Sequence, residues 1–130
     1  MSVIEDVHAD HGATFRAVGG RRVVDDYGRP DRTHRAVRNV AGVIEMGYDI
    51  RIVTGPERVP AVDAALTATL PESDGEGCYG FVRDGGIAAD ATVYNGDDRL
   101  LVFLSPGTAP VLEAALADEA EAVADATDEM

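Results

Sequence analysis

No lysine occurs in the 130-residue chain: all eleven basic side chains are arginine, and 24 acids set the formal net charge at −13. A surface of that sign repels nucleic-acid phosphates and anionic membranes, which argues against both as partners. An acid excess without lysine fits a cytosol held at high salt, where self-repulsion is screened within ~3 Å at 1 M. A halophilic protein is therefore expected. Cys78 is the only cysteine, so no intramolecular disulfide can form. It lies in an apolar run and reads as a small buried hydrophobe rather than a reactive thiol. No charged-then-apolar leader opens the sequence, and no apolar run approaches the ~18 residues of a membrane span, so a cytoplasmic location is expected. There is no internal repeat and no linker. The length is that of one domain, and 45% apolar residues is ordinary for a globular fold.

The informative stretch is Asp84-Gly85-Gly86-Ile87-Ala88-Ala89-Asp90-Ala91-Thr92-Val93-Tyr94. It follows the apolar run Tyr79–Val82 and precedes Asn95-Gly96 and a second run, Leu100–Leu104. Asp-Gly and Asn-Gly between apolar runs are strong hairpin signals, because both tolerate positive φ. The pattern predicts a three-stranded antiparallel meander with residues 87–94 as its central strand. Side chains alternate along a strand, so Ile87, Ala89, Ala91 and Val93 share one face, and Asp90, Thr92 and Tyr94 the other. An acid, a hydroxyl and a phenol in a row read either as the floor of a polar pocket or as an ordinary solvent-facing side of an antiparallel sheet.

Around the meander, residues 2–11 read as a short helix capped by Ser2, followed by strands at 13–18 and 21–24 about a Gly19-Gly20 turn. His8 and His11 stand three apart with no carboxylate or thiol pattern beside them, a poor zinc signature, and no metal site is expected. Asp31 is expected to cap an arginine-rich helix reaching about Val40, within which His34 reads as structural. Its arginines suit a polyanionic tail or an acidic partner, or else pairing with the chain's own acids. Gly42–Met46 and Ile50–Val53 read as strands. Thr54-Gly55-Pro56 opens a helix in which Val59, Val62, Leu66 and Leu70 recur at helical spacing. Thr108 caps a last helix with Val111, Leu112, Ala115, Leu116 and Val123 inside. The expectation is a single domain, 1–130. Residues 1–48 form the lead-in helix, strands and arginine-rich helix, 49–117 a βαβββα core, and 118–130 an acidic, fraying tail. The fold class is α+β: an antiparallel sheet with helices on one face, close to a split βαβ, ferredoxin-like arrangement.

Several phrases, in order and spacing, resemble the folate-binding N-terminal region of the glycine cleavage T-protein (aminomethyltransferase) family. They are His11-Gly12-Ala13-Thr14-Phe15, Tyr27, His34-Arg35-Ala36-Val37-Arg38-Asn39 and Ala41-Gly42-Val43-Ile44-Glu45. Gly55, Gly77-Cys78-Tyr79 and Gly85-Gly86-Ile87-Ala88-Ala89-Asp90 complete the set. The resemblance runs over roughly residues 4–116 and matches about the first third of a typical member. It implies the family's folate-binding fold and a tetrahydrofolate-dependent aminomethyltransferase, with no metal. Such an enzyme moves a one-carbon unit from an aminomethyl group on a lipoyl carrier, an H-protein-like partner, to tetrahydrofolate. It also implies Asp90 as the catalytic carboxylate, with Tyr79, Thr92 and Tyr94 lining the folate pocket.

The departures are specific. Where the family has aspartate, an apolar residue, serine, histidine and methionine, this chain has Glu45-Met46-Gly47-Tyr48-Asp49. A family asparagine falls near Leu104 or Ser105, so its hydrogen bond is expected to be lost or changed. The later segments that grip the pterin and glutamate tail lie beyond this sequence. The alternative is a non-catalytic folate-binding or oligomerising half-domain completed by a partner chain, a homo-oligomer among the options. An inert fragment is the third. The charge balance makes its own prediction: the melting temperature should rise steeply from dilute buffer to molar potassium chloride, and one indifferent to salt contradicts the halophilic reading.

Overall fold

A tight hairpin organises the first 47 residues of the computed structural model, which describes residues 4–117 and 122–128. Helix α1 (Glu5–Asp10) leads into strands β1 (Thr14–Val18) and β2 (Arg21–Asp26), and helix α2 (Pro30–Asn39) follows. Gly19 and Gly20 both take positive φ at the turn, which lets the strands return directly on one another. Arg22 pairs with Glu5 of α1, and its guanidinium carbon lies 4.7 Å from the centroid of the Phe15 ring. Met1–Gly47 forms one compact unit and Tyr48–Met130 a second.

Ser2, read as a helix cap, lies outside the described residues, and Ile4 occupies the N-cap of α1. Asp31 does not cap α2. Pro30 takes the first helical turn, where its missing N–H costs nothing, and Asp31 follows it with Arg29 at the cap. Gly42–Met46 is not a strand. A strand needs a partner ladder, and among the described residues none pairs with this segment, so Val43 and Ile44 stand 98% and 75% exposed.

The second unit is a five-stranded antiparallel sheet. Strand β3 (Asp49–Thr54) leads to helix α3 (Arg58–Ala65), then to the meander β4 (Gly77–Arg83), β5 (Ile87–Asn95) and β6 (Arg99–Leu104). Helix α4 (Ala109–Leu116) and strand β7 (Ala122–Asp125) follow. The spatial order is β4-β5-β6-β3-β7. Both β6 and β7 run antiparallel to the strand between them, so β6–α4–β7 is a βαβ unit split by β3. Period-two alternation sends Ala89, Ala91 and Val93 of β5 inward with Leu100, Val102 and Leu104 of β6. Against this face pack Ala61, Val62 and Ala65 of α3 and Leu112 and Leu116 of α4, in one buried cluster. The class is therefore α+β, with both helices on one side of the sheet.

Helix α3 is shorter than its apolar period suggested. Leu66 and Leu70 are buried as that period requires, but the helix ends at Ala65 and Leu66 forms a β-bridge to Val82. Thr67 then bonds both ways to Phe81, its N–H donating to the carbonyl at 2.9 Å and its hydroxyl accepting the amide at 3.0 Å. The segment thus covers the free edge of β4, and the exposed ladder outweighs helical propensity. The acidic tail is a strand over part of its length. Residues 118–121 and 129–130 lie outside the described residues, but 122–125 form β7 on the edge of β3. Val123 is thus a strand residue, not a helical one. Asp125 places a carboxylate oxygen 2.7 Å from Nη1 of Arg51, a guanidinium almost fully buried between β7 and Glu113 of α4.

Asp49 performs the capping role that Thr108 was expected to play. Buried at the start of β3, its Oδ2 accepts from the amides of Gly107 at 2.9 Å and Ala109 at 3.3 Å, at the start of α4. Thr108 instead turns its hydroxyl back to the Ser105 carbonyl at 2.7 Å. Asp49→Ala is expected to lose about 1–2 kcal/mol, seen as a lower denaturant midpoint at unchanged slope. Asp49→Asn keeps an acceptor and should lose less; an unmoved midpoint in Asp49→Ala contradicts the capping role.

Candidate functional site

The register of the meander decides what shares its outer face. Directly opposed residues point the same way, and the pairs are Gly77 with Tyr94, Tyr79 with Thr92, and Phe81 with Asp90. On the other side of β5, Thr92 faces Phe103 and Tyr94 faces Leu101. Asp90, Thr92, Tyr94 and Tyr79 therefore stand on one surface, away from the helices. Thr92 and Tyr94 line an open hollow of about 280 Å³ together with Tyr48 and Phe103. The Phe103 ring meets Tyr94 edge-on at 5.9 Å and Tyr48 edge-on at 6.2 Å between centroids. This is the preferred geometry of aromatic pairs.

A glycine makes room for that wall. An added Cβ at Gly77 would come within 2.5 Å of the Tyr94 ring, so the ring lies across the bare backbone of the edge strand β4. Any side chain at 77 must displace Tyr94.

Asp90 sits beside the hollow, half-buried and held on both oxygens. Ser105 Oγ donates to Oδ1 at 2.7 Å, and the Tyr79 hydroxyl approaches Oδ2 at 3.4 Å. Ser105 is one of the two positions where the family's asparagine was expected to be missing, and its hydroxyl supplies a donor there. The Tyr79 phenol is pushed above its ordinary value, first by loss of hydration and then by the Asp90 charge and their hydrogen bond, with a smaller contribution from Tyr48. Tyr79 therefore stays a protonated donor toward Asp90. The arrangement is a carboxylate fixed in orientation, next to an aromatic recess, and it suits holding a cationic or N–H-bearing heterocycle.

Tyr48, Phe103 and Ser105 were not singled out from the sequence as site residues. For Phe103 the signal was present, because alternation along Leu100–Leu104 separates Leu101 and Phe103 from the three inward-facing residues. Ser105 and Tyr48 lie outside regular alternation, and only the folded chain reveals their reach.

His8 is bonded on both ring nitrogens, at 2.7 Å to the Tyr27 hydroxyl and at 2.7 Å to Glu45 Oε2. A carboxylate only accepts, so Nε2 carries a proton and donates it to Glu45. His11 turns away to donate to the Val7 carbonyl at 2.8 Å. Among the described residues no three His, Cys, Asp or Glu side chains cluster as metal ligands. His34 is exposed. Cys78 packs against the core, and burial, then the Asp63 charge, pushes its thiol up, which disfavours the reactive thiolate. No described helix is long and apolar enough to cross a membrane.

No protein-family model matches the sequence. An aminomethyltransferase of Saccharopolyspora erythraea is 32% identical over 121 residues, covering 88% of this chain and 33% of its own length. An aminomethyltransferase of Corynebacterium aurimucosum is 31% identical over 123 residues, with the same coverage of each chain. The chain is a homologue of part of the aminomethyltransferases. It spans about a third of the length of these curated relatives. The glycine cleavage system aminomethyltransferase T of Bartonella henselae superposes with a TM-score of 0.72 at 19% identity, over 94% of this chain and 37% of that one. That likeness is one of fold.

The Tyr79–Asp90 contact has a direct readout. In a spectrophotometric tyrosine titration the Tyr79 phenol should ionise above the ordinary ~10, and Asp90→Asn should bring it down. A set of transitions identical in both proteins contradicts the contact.

Proposed function

We propose that this chain binds tetrahydrofolate on the outer face of the meander and serves a one-carbon transfer of the aminomethyltransferase type. The observation that carries the reading is the pairing of an aromatic hollow with a fixed carboxylate on one face of β5, in a homologue of aminomethyltransferases. The donor set suits the ligand. A pterin ring is flat and polarisable, and Tyr48, Tyr94 and Phe103 offer ring edges and faces around about 280 Å³. Thr92 adds a hydroxyl and Asp90 an acceptor for N–H groups. Tetrahydrofolate supplies a nucleophilic nitrogen that accepts the one-carbon unit, and an aminomethyl-lipoyl carrier protein is the donor in this reading.

Asp90 has the electrostatic part. Positive charge develops as ammonia leaves the aminomethyl carbon, and a preoriented carboxylate stabilises charge without reorganising at the moment of reaction. Ser105 and Tyr79 keep Asp90 aimed; Tyr79, Thr92 and Tyr94 contribute to binding. The cytoplasmic, high-salt setting expected from composition completes the proposal.

A second reading has its own support. Tyr79 and Tyr94 stand 59% and 45% exposed on the open face, and the chain spans a third of its relatives. A non-catalytic half-domain completed by another chain, a second copy included, would cover that face. Light scattering on a size-exclusion column separates the two: a monomer that binds folate supports the first reading, and a dimer that binds folate only when assembled supports the second.

Calorimetric titration with tetrahydrofolate in molar salt tests binding itself. Gly77→Ala, by displacing Tyr94, should weaken affinity by about tenfold. Asp90→Asn should lower transfer far more than affinity, because charge stabilisation acts on the transition state. No binding at millimolar ligand, by chain or assembly, overturns the proposal.

A further inference from the structure

We propose that the Arg29–Arg35 end of helix α2 is a binding site for a small polyanion, a ligand carrying two or more phosphate or carboxylate groups. The site belongs to the first unit, Met1–Gly47, and is independent of the folate reading. Two observations point to it.

The first is charge left uncompensated where compensation is plentiful. With 24 acids in the chain, Arg16, Arg22, Arg51 and Arg99 each pair with a carboxylate, and Arg58 and Arg83 donate to backbone carbonyls. Arg29, Arg32, Arg35 and Arg38 form no ion pair with an acid among the described residues. All four lie within ten positions and all are exposed.

The second is that α2 has no buried face. It runs ten residues and buries none of them, and helices of this length are marginal in water without a packed face. Its arginines Arg32, Arg35 and Arg38 stand three apart, a spacing at which like charges oppose the helix. A bound anion removes that repulsion. Arg29, Pro30, Asp31, Arg32 and Arg35 line an open concavity of about 630 Å³, a size that suits a small molecule. Guanidinium forks match phosphate and carboxylate oxygens two at a time. The net charge of −13 repels a long polyanion such as RNA, whereas a compact one meets only the local patch.

The full chain is titrated calorimetrically with tripolyphosphate and, separately, with citrate, at the lowest potassium chloride concentration that keeps the native far-ultraviolet spectrum. At least one should bind, with affinity falling as salt rises and helical signal growing on saturation. Arg32→Gln/Arg35→Gln, at exposed positions that bury nothing, should weaken binding by about tenfold or more. Arg32→Lys/Arg35→Lys keeps the charge but not the fork, and should fall between. Arg16→Gln should change nothing. Binding of tripolyphosphate alone assigns a phosphate ligand, and of citrate alone a carboxylate ligand; both support the site. No binding of either at millimolar concentration, or equal affinity in the glutamine variant, overturns it.

Discussion

The strict two-residue alternation of β5 is the constraint from which the second unit follows. Ala89, Ala91 and Val93 fill the space beneath α3 and α4, and small residues there let the helices sit close to the sheet. Because they point inward, Asp90, Thr92 and Tyr94 must point outward, and a slip of one residue would bury the carboxylate and expose the core. The same pairing that closes the core therefore aligns the candidate site. Folding energetics and chemistry are written on opposite faces of nine residues.

The outer face then acquires its character from neighbours fixed by register. Phe103 lies opposite Thr92, Gly77 opposite Tyr94 and Tyr79 opposite Thr92 on the other side. None of these contacts involves residues close in sequence. The Gly77 and Tyr79 pairings depend on the Asp84-Gly85-Gly86 turn and the Phe103 pairing on the Asn95-Gly96 turn, which gives both turns a functional weight beyond chain reversal. Ser105, just past the end of β6, closes the arrangement by holding the oxygen of Asp90 that Tyr79 does not approach.

Much of this was legible in the chain itself. The Asp-Gly and Asn-Gly signals and the alternating apolar positions defined the meander and its two faces, because local turn chemistry and period-two burial act over a few residues. Tyr48 and Ser105 were not legible as site residues, since each reaches the face from a segment with no period. The same limit explains the errors. Leu66 and Leu70 are buried as their spacing required, yet they leave the helix because the edge of β4 offered Thr67 a ladder. Val123 fits a helical stripe, but the open edge of β3 took it as a strand. Gly42–Met46 has strand composition and no partner among the described residues. In each case a distant backbone edge, present or absent, decided what local propensity left open.

The account rests on the outer face of β5, and not the helix layer, being where a pterin is received. Aromatic NMR shifts of Tyr48, Tyr79, Tyr94 and Phe103, followed while tetrahydrofolate is added in molar salt, address that placement directly. Saturable shifts concentrated on these four rings, with Phe15 and Tyr27 of the first unit unmoved, are the predicted result. Saturable binding that leaves the four rings unshifted would contradict the account.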